Sequence, residues 1–286
     1  MQPASPLRYP GGKACLSDLL HDVIDLNDLS GAAYFEPYAG GAGAALELLR
    51  LGVVSRIHIN DADPRVWAFW MVAVNESERF CDSIMGTPLN MAEWVRQRDI
   101  CANPQGFTRF EVGFSAFFMS RCNRSGVLTG AGPIGGYGQA GKWTLDVRFN
   151  REGLAERILL LRRLRDNIEI SNEDALEFLK RALPKGRGRS RVFVYLDPPY
   201  VGKGQRLYLN SYEAKDHVEL AKYMNRQNHL PWIMSYDDTE LVRQLYGEQQ
   251  LGGLAIRYSL QKKRNASELL IAPPHMSLPK AKLQSC

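Results

Sequence analysis

Short apolar runs alternate with helical patterns over much of this chain of 286 residues. We predict strands where a run is short and rich in β-branched or aromatic residues, and helices where apolar residues recur every three or four positions. The predicted strands are residues 32–38, 57–60, 168–170, 192–196, 232–236, 254–258 and 269–272. The predicted helices between them are residues 16–24, 44–49, 216–225 and 239–246, with one more that ends at Leu183. This alternation predicts an α/β fold.

The alternation of strands and helices stops between residues 64 and 165. Helices are predicted there at residues 66–74, 91–100, 114–122 and 152–165, with a glycine-rich loop at 130–142. Basic and aromatic residues are interleaved around that loop: Arg121, Arg124, Tyr137, Lys142, Trp143 and Arg148. This mixture suits contacts with a nucleic-acid backbone and bases, although a solvated loop without a partner has the same composition.

The predicted strand at 192–196 ends at Asp197, Pro198, Pro199 and Tyr200. The two prolines end the strand because they cannot donate hydrogen bonds to a sheet. Ligands of open α/β sheets bind beyond the carboxyl ends of the strands, where this turn lies. A carboxylate and a backbone carbonyl can accept the hydrogens of a planar amine, and an aromatic ring can stack on its ring. The alternative interpretation is a proline-rich turn with a solvated aspartate.

A second motif joins the strand at 32–38 to the next helix through the glycine-rich turn at 39–43. Glycine lets the backbone approach a nucleotide-like cofactor closely, and Asp61 lies where an acid commonly binds ribose hydroxyls. The spacing does not identify the cofactor, and a tight turn with a solvated Asp61 is the alternative. The segment Gly11-Gly12-Lys13 before a helix favours a nearby anion, but such turns are also common without one.

Composition narrows the class of protein. The net charge of +5 permits a polyanionic partner without requiring one. Five cysteines without a C-x-x-C pair argue against a disulfide framework and against a zinc site. We find no signal-peptide pattern and no apolar run of about 18 residues, so we expect a soluble, cytoplasmic protein.

Four motifs occur in order along the chain: LRYPGGK, FEPYAGGAG, IHINDAD and DPPY. Together they resemble the Dam-like adenine-specific DNA methyltransferases, which use S-adenosylmethionine. The segments NRSG, GPIGGYGQAGKW, GKGQRLYLNSY, IMSYDDTELV and KRNASELLIA are similar to the compact phage and prophage members. The resemblance extends over nearly the whole chain.

The resemblance implies a class I methyltransferase core with a mainly parallel sheet, one antiparallel strand and a small helical target-recognition insert. The core would comprise residues 1–74 and 166–286, and the insert residues 75–165. The cofactor S-adenosylmethionine would contact Tyr9, Lys13, Phe35, Glu36, Pro37, Tyr38, Gly40, Gly43, Asp61, Asp174 and Asp197. Tyr9 stands where several relatives carry Trp, and the assignment of Asp174 competes with its neighbours Asn172 and Glu173.

The implied reaction is methyl transfer to the 6-amino group of adenine in a specific DNA sequence. Asp197 and the Pro198 carbonyl, within the turn that includes Pro199, would accept the two amine hydrogens, and ionised Asp197 would serve best. The base must leave the duplex to be reached, and Tyr200 would stack on it. Phosphate contacts in double-stranded DNA are expected from Arg124, Lys142, Lys203, Arg206 and Arg264. We expect no metal and a monomer.

Other functions remain open at this point. The 4-amino group of cytosine poses the same chemical problem, but that family pattern usually has Ser where Asp197 stands. RNA and protein-amide substrates fit the basic insert less well. A nicotinamide oxidoreductase would leave the DPPY turn without a role. A silent DNA-binding relative would not need Gly40, Gly43, Asp61, Asp197 and Tyr200 to be intact.

Overall fold

The computed structural model describes residues 4–201, 212–227, 229–257 and 265–279. Within them a seven-stranded sheet has the strand order β3-β2-β1-β4-β5-β7-β6. Its strands are β1 (Ala33–Glu36), β2 (Arg56–Asn60), β3 (Ile168–Ser171), β4 (Val192–Leu196), β5 (Trp232–Asp237), β6 (Gln250–Arg257) and β7 (Asn265–Ala272). Strands β1 to β5 pair in parallel, whereas β7 runs antiparallel to both β5 and β6. The expected mainly parallel sheet with one antiparallel strand is therefore confirmed.

The α-helices of the described residues fall close to the predicted positions. They are α1 (Ser17–Leu26), α2 (Gly43–Arg50), α3 (Pro64–Asn75), α4 (Ser77–Gly86), α5 (Met91–Ala102), α6 (Arg109–Cys122), α7 (Arg151–Leu164), α8 (Ala175–Ala182), α9 (Ala214–Asn225) and α10 (Glu240–Leu245). Local chemistry fixes several starts: Asp63 caps α3 ahead of Pro64, and Thr108 forms a capping box with Glu111 on α6. None of these helices is long and apolar enough to cross a membrane.

Helix α4 is the one that the sequence pattern did not predict. It begins one residue after α3 ends, because Glu76 lies between the two helices. Only Phe80 and Ile84 are its fully buried apolar residues. Two such positions are too few to distinguish a helix from a loop by periodicity.

Apolar side chains cover both faces of the sheet. One cluster joins Tyr34 and Ile57 of the sheet with Phe69 of α3 and Phe117 of α6. The opposite cluster packs Phe178 of α8 and the residues of α9 and α10 against β4 and β5. The helices of the expected insert thus share one core with the sheet, and its boundaries at 75 and 165 stay a prediction.

The strand order reverses between β1 and β4, which are neighbours in the sheet but far apart in the chain. In open α/β sheets the loops after two such strands separate and leave a crevice. Glu36 ends β1 and Asp197 follows β4 directly, so both lie at this crevice.

Candidate functional site

A cavity of about 440 Å³ lies at the crevice between the ends of β1 and β4. It is lined mainly by five segments that are distant in sequence: the N-terminal motif, the glycine-rich turn, the loop after β2, the loop after β3 and the turn after β4. The predicted cofactor residues that line it are Tyr9, Lys13, Glu36, Pro37, Tyr38, Gly40, Gly43, Asp61, Asp174 and Asp197. Four motifs that were separate in the sequence thus form one cavity.

The glycine-rich turn is shaped by close contacts. Gly40 has φ +45°, and a Cβ atom there would lie 2.6 Å from the Tyr9 ring. A side chain at this position would therefore displace the ring, which lines the same cavity. From α3, the Trp70 indole N–H donates to the Gly40 carbonyl at 2.9 Å. Trp70 belongs to none of the sequence motifs, so its hydrogen bond to the turn was not predicted.

Asp61 is held at the end of β2 by two backbone donors. Its Oδ2 accepts from the Gly40 N–H at 2.8 Å, and its Oδ1 accepts from the Asp63 N–H at 2.9 Å. Burial raises the pKa of Asp61 to about 7, against the effect of these two donors. The side chain is therefore fixed against the turn and changes charge near neutral pH.

Further cavity wall comes from the residues after β3 and after β1. Asp174 caps α8 by accepting from the backbone N–H groups of Leu176 and Glu177, and it faces the cavity edge. The Tyr38 hydroxyl lies 2.5 Å from the Tyr212 hydroxyl, and both side chains line the cavity. Tyr212 was not predicted as a site residue, although it ends the quoted segment GKGQRLYLNSY.

Phe35 does not line the cavity. Its side chain is 3% exposed, and its ring stacks on His58 at a centroid distance of 4.2 Å. Alternation along β1 explains this placement, because neighbouring residues of a strand point to opposite faces. The Phe35 side chain therefore packs beneath the cavity, and its predicted contact with the cofactor stays a prediction.

Asp197 takes part in a buried polar cluster. Its Oδ1 lies 2.9 Å from Lys13 Nζ and accepts from the Ser235 hydroxyl at 2.9 Å. Lys13 Nζ also donates to the Tyr200 hydroxyl at 2.8 Å and lies 3.5 Å from Glu268 Oε2. The sequence predicted neither Ser235 nor Glu268, because strands distant in sequence bring them to this position.

Burial raises the pKa of both acids in this region, Asp197 and Glu36, but the groups around the two acids differ. It raises the pKa of Asp197, while the Lys13 ammonium and the Ser235 hydroxyl oppose that rise. Burial, together with the charges of Asp197 and Asp61, raises the pKa of Glu36 to about 8, against the effect of Tyr34, which lowers it. Glu36 is thus mostly protonated at neutral pH, whereas Asp197 has an ammonium partner that favours its ionised form.

Of the other three residues of the DPPY turn, only one lines the cavity. Pro199 lines the cavity, whereas Pro198 is buried behind it. Tyr200 is half-buried: its hydroxyl meets Lys13, and its ring lies 6.5 Å from the Tyr236 ring. The structure brings Tyr200 to the cluster around Asp197, but not to the wall of the described cavity.

A second concave surface of about 840 Å³ opens beside the first, and we call it the basic groove. Its lining includes four cations and an exposed indole: Arg8, Arg124, Lys142, Arg148 and Trp143. Arg8 precedes Tyr9 of the cavity wall, so the N-terminal motif borders both surfaces. A Cβ atom on Gly126 would lie 2.5 Å from the Arg8 carbonyl oxygen, so glycine is needed where the NRSG segment packs on this motif.

Positive charge is concentrated around the basic groove. Among the described residues, Arg8, Arg121, Arg124, Lys142 and Arg148 form no ion pair with an acid. Burial and Arg148 lower the pKa of Arg8. Burial, and then Arg157, Arg8 and Arg148, lower the pKa of Arg121 to about 9. Arg121 Nε donates to the Pro6 carbonyl at 2.8 Å, so a buried guanidinium anchors the N-terminal segment.

Three predicted phosphate contacts, Lys203, Arg206 and Arg264, lie outside the described residues. Arg124 and Lys142 lie in the basic groove. Within the described ranges, no group of three or more His, Cys, Asp or Glu side chains could hold a metal ion.

Comparison with known proteins identifies the family. A family model for D12 class N6 adenine-specific DNA methyltransferases matches residues 9–265. The chain belongs to this family. No curated protein matches it. Among solved structures it is weakly similar to the rRNA methyltransferase aviRa from Streptomyces viridochromogenes, at 13% identity and a TM-score of 0.35, over 92% of this chain and 86% of that one.

The protein is thus a site-specific adenine DNA methyltransferase, and its substrate is adenine in DNA. Its reaction requires a methyl donor. The Dam-like resemblance inferred from the four motifs is confirmed, and cytosine is not the base that the family describes.

Proposed function

We propose that the 440 Å³ cavity binds S-adenosylmethionine and that Asp197 presents a flipped adenine to it. The observation that carries the proposal is the position of Asp197, which follows β4 at the strand-order reversal and lines the same cavity as the glycine-rich turn. When bound, this cofactor supplies an electrophilic methyl group on a sulfonium ion. The cavity residues must hold that group facing the incoming amine.

The cavity fits an adenosine with an amino-acid tail. Asp61 suits the ribose hydroxyls, since a carboxylate accepts two hydroxyl hydrogens and lies at the end of the second strand. The absence of a Cβ atom on Gly40 lets the Tyr9 ring pack directly on the turn, where it lines the cavity and suits contact with the cofactor. Asp174, at the cavity edge, suits the amino group of the cofactor's adenine. Tyr9, Pro37 and Tyr38 supply flat or apolar walls.

Asp197 is suited to accept a hydrogen from the target amine. Both of its described polar contacts fall on Oδ1, so Oδ2 can take the amine. The 6-amino lone pair of adenine is delocalised into the ring and is a poor nucleophile. Hydrogen bonds to Asp197 and to the Pro198 carbonyl favour the pyramidal amine and disperse its growing positive charge. Fixed acceptors of this kind contribute about 3 kcal/mol each, by analogy with oxyanion-hole donors.

Base flipping follows from the depth of the site. Asp197 is 19% exposed in its side chain and lies below the surface, where a base within a duplex cannot reach it. The Tyr200 ring is the neighbouring aromatic on which an extruded adenine could stack. In the described structure its hydroxyl contacts Lys13, so we propose that Tyr200 turns when the base enters.

We propose that double-stranded DNA lies in the basic groove. Arg124, Lys142 and Arg148 are exposed there without acidic partners among the described residues, as phosphate-binding cations require. Trp143 is 59% exposed and offers a π-face beside them. The N-terminal motif joins this groove to the cavity, so DNA in the groove lies next to the methyl donor.

The replacement Asp197→Asn tests the proposal. It keeps the shape of the side chain, but it removes the negative charge and turns one oxygen into a donor. We expect methyl transfer to adenine to fall by about 100-fold to 1,000-fold. Equilibrium binding of S-adenosylmethionine should change only several-fold, because Asp61 and the glycine-rich turn remain.

Methyl transfer is measured with labelled cofactor and mixed DNA, followed by sequencing that reports modified bases. The thermal melting curve of the variant serves as the control for folding, since Asp197 pairs with buried Lys13. Retention of most of the activity in a folded variant would remove the acceptor role of Asp197. A wild-type protein that binds no S-adenosylmethionine would refute the cofactor assignment itself.

A further inference from the structure

Two tyrosine rings form a corner of the cavity wall. Tyr38 follows β1 and Tyr212 precedes α9, so segments that are distant in sequence bring them together. Their ring centroids are 5.9 Å apart, and the two ring planes meet at 74°. Their hydroxyls lie 2.5 Å apart. A flat heteroaromatic ring that stacks on one of these rings therefore presents its edge to the other, and both arrangements are favourable for aromatic pairs.

The Tyr212 ring is held in place by its own helix. The His217 ring, on the first turn of α9, lies 5.3 Å from the Tyr212 ring at an angle of 64°. His217 is 3% exposed, and its Nδ1 forms a hydrogen bond with the Tyr236 hydroxyl of β5. Next to Tyr212, Glu213 and Asp216 form a capping box that fixes the start of α9. The ring therefore needs little rearrangement to receive a ligand, which lowers the cost of binding.

A neighbouring acid indicates which part of a ligand reaches this corner. Burial raises the pKa of Tyr212, the contact with the Tyr38 hydroxyl opposes that rise, and the negative charges of Asp174 and Asp216 add to it. Asp174 is thus close enough to Tyr212 to affect its ionisation, and both residues line the cavity. On the proposed function, Asp174 accepts from the amino group of the cofactor's adenine. An adenine bound in that way lies beside the Tyr212 ring.

We propose that Tyr212 binds the adenine ring of the cofactor by stacking, and so makes the cavity selective for ligands that carry this base. Tyr38 meets the edge of the same ring. This inference rests on the proposed use of S-adenosylmethionine, and it adds a binding residue that belongs to none of the four motifs. Tyr212 acts on the base alone, whereas the ribose and the amino-acid tail contact other parts of the wall.

The test compares two ligands that differ only in the base. S-adenosylhomocysteine carries adenine, and S-ribosylhomocysteine has the same ribose and amino-acid tail without it. Each ligand displaces labelled S-adenosylmethionine from the protein in equilibrium competition, without DNA. We expect Tyr212→Leu to weaken S-adenosylhomocysteine about ten-fold and S-ribosylhomocysteine less than about two-fold, because only the first loses a stacked base.

Control variants separate the ring from other effects. Tyr212→Phe keeps the ring and removes only the hydroxyl beside Tyr38, so it should retain most of the affinity for S-adenosylhomocysteine. Tyr223→Leu makes the matched replacement on α9, where Tyr223 packs against the core outside the cavity, and it should leave both affinities unchanged. Tyr212→Met is a second variant without the ring, in case Tyr212→Leu does not fold. Thermal melting of each variant reports its folding.

Each outcome decides the matter. Equal weakening of the two ligands by Tyr212→Leu would show that Tyr212 only supports the shape of the wall, and the inference would be wrong. It would also be wrong if Tyr212→Phe lost as much affinity as Tyr212→Leu. Unchanged affinity for S-adenosylhomocysteine, with a weaker 2-aminopurine signal from target DNA, would assign the ring to the flipped base instead.

The proposed function is tested separately by the wild-type protein. If wild type binds neither S-adenosylmethionine nor S-adenosylhomocysteine, the proposed cofactor fails. If wild type binds both and only the base-dependent loss in Tyr212→Leu is missing, the proposed function stands without this inference.

Discussion

Glu36, Asp61 and Asp197 line one cavity, and their charges influence one another through buried surroundings. The sequence could indicate these acids, because Asp61 and Asp197 each follow a predicted strand and Glu36 lies near the end of one. It could not indicate their ionisation, which depends on contacts across the sheet. The Lys13 ammonium opposes the rise in the pKa of Asp197, and Lys13 lies 184 positions before Asp197 in the chain.

Glu36 leads to a prediction about stability and pH. Its pKa of about 8 in the folded protein lies above the ordinary value of 4.5 that the unfolded chain restores. Between these values the folded state binds the extra proton, so this group's contribution to the free energy of unfolding falls as pH rises. Glu36→Gln should remove that loss. The free energy of unfolding of the variant minus that of wild type should therefore be about 3 kcal/mol greater at pH 8 than at pH 5.

Urea unfolding of both proteins at the two pH values measures this difference. Wild type and variant curves that shift in parallel with pH would show that Glu36 ionises at its ordinary pKa in the folded protein.

At the scale of elements, the strands and most helices were predictable because each carries its own apolar period. Strand β4 is fully buried and reads as one apolar run, and α6 begins at a capping box that is visible in the sequence. Helix α4 was missed because its buried face has only Phe80 and Ile84. Phe35 packs beneath the cavity and does not line it, because a motif gives only the order of residues, whereas the face of the strand decides which side chains reach the cavity.

Helix α3 makes a testable contribution to the cofactor site. The replacement Trp70→Phe keeps an aromatic ring in the core but removes the hydrogen bond to the buried Gly40 carbonyl. Leaving that acceptor without its donor should cost about 1 kcal/mol, which corresponds to roughly five-fold weaker cofactor binding if the turn loosens.

Trp67→Phe is the matched control on the same helix, since Trp67 packs outside the glycine-rich turn near Arg109. Equilibrium binding of S-adenosylmethionine to both variants is the measurement. Equal affinities would show that the turn holds its shape without α3.

At the scale of the whole molecule, the ends of the sheet strands form one cavity. The segment between α6 and α7, together with Arg8, forms the adjoining basic groove. The net charge of +5 permitted a polyanionic partner, but only the folded structure shows that several cations lie together in the basic groove. The sequence analysis placed Arg124 and Lys142 among the DNA contacts. It named Arg148 only within the basic and aromatic mixture around the loop. It did not name Arg8, because the approach of Arg8 depends on how the N-terminal motif packs against the NRSG segment.

The basic groove leads to a prediction about DNA binding. Lys142→Ala should weaken binding of double-stranded DNA of any sequence several-fold and reduce the salt dependence of the binding constant by about one counterion. Arg162→Ala is the control, because Arg162 is an exposed cation on α7 that pairs with Glu78. Fluorescence anisotropy over a range of salt concentrations measures both slopes. Equal slopes for the two variants would place the DNA elsewhere.

The crowding of guanidinium groups near the N-terminal motif has a consequence for the energetics of binding. Arg121 is buried beside Arg8, Arg148 and Arg157, and the structure holds it there through a backbone carbonyl and not through an acid. The free enzyme therefore carries mutual repulsion within its fold. On the proposed binding of DNA in the basic groove, phosphates reduce this repulsion, and its release adds to the affinity for DNA.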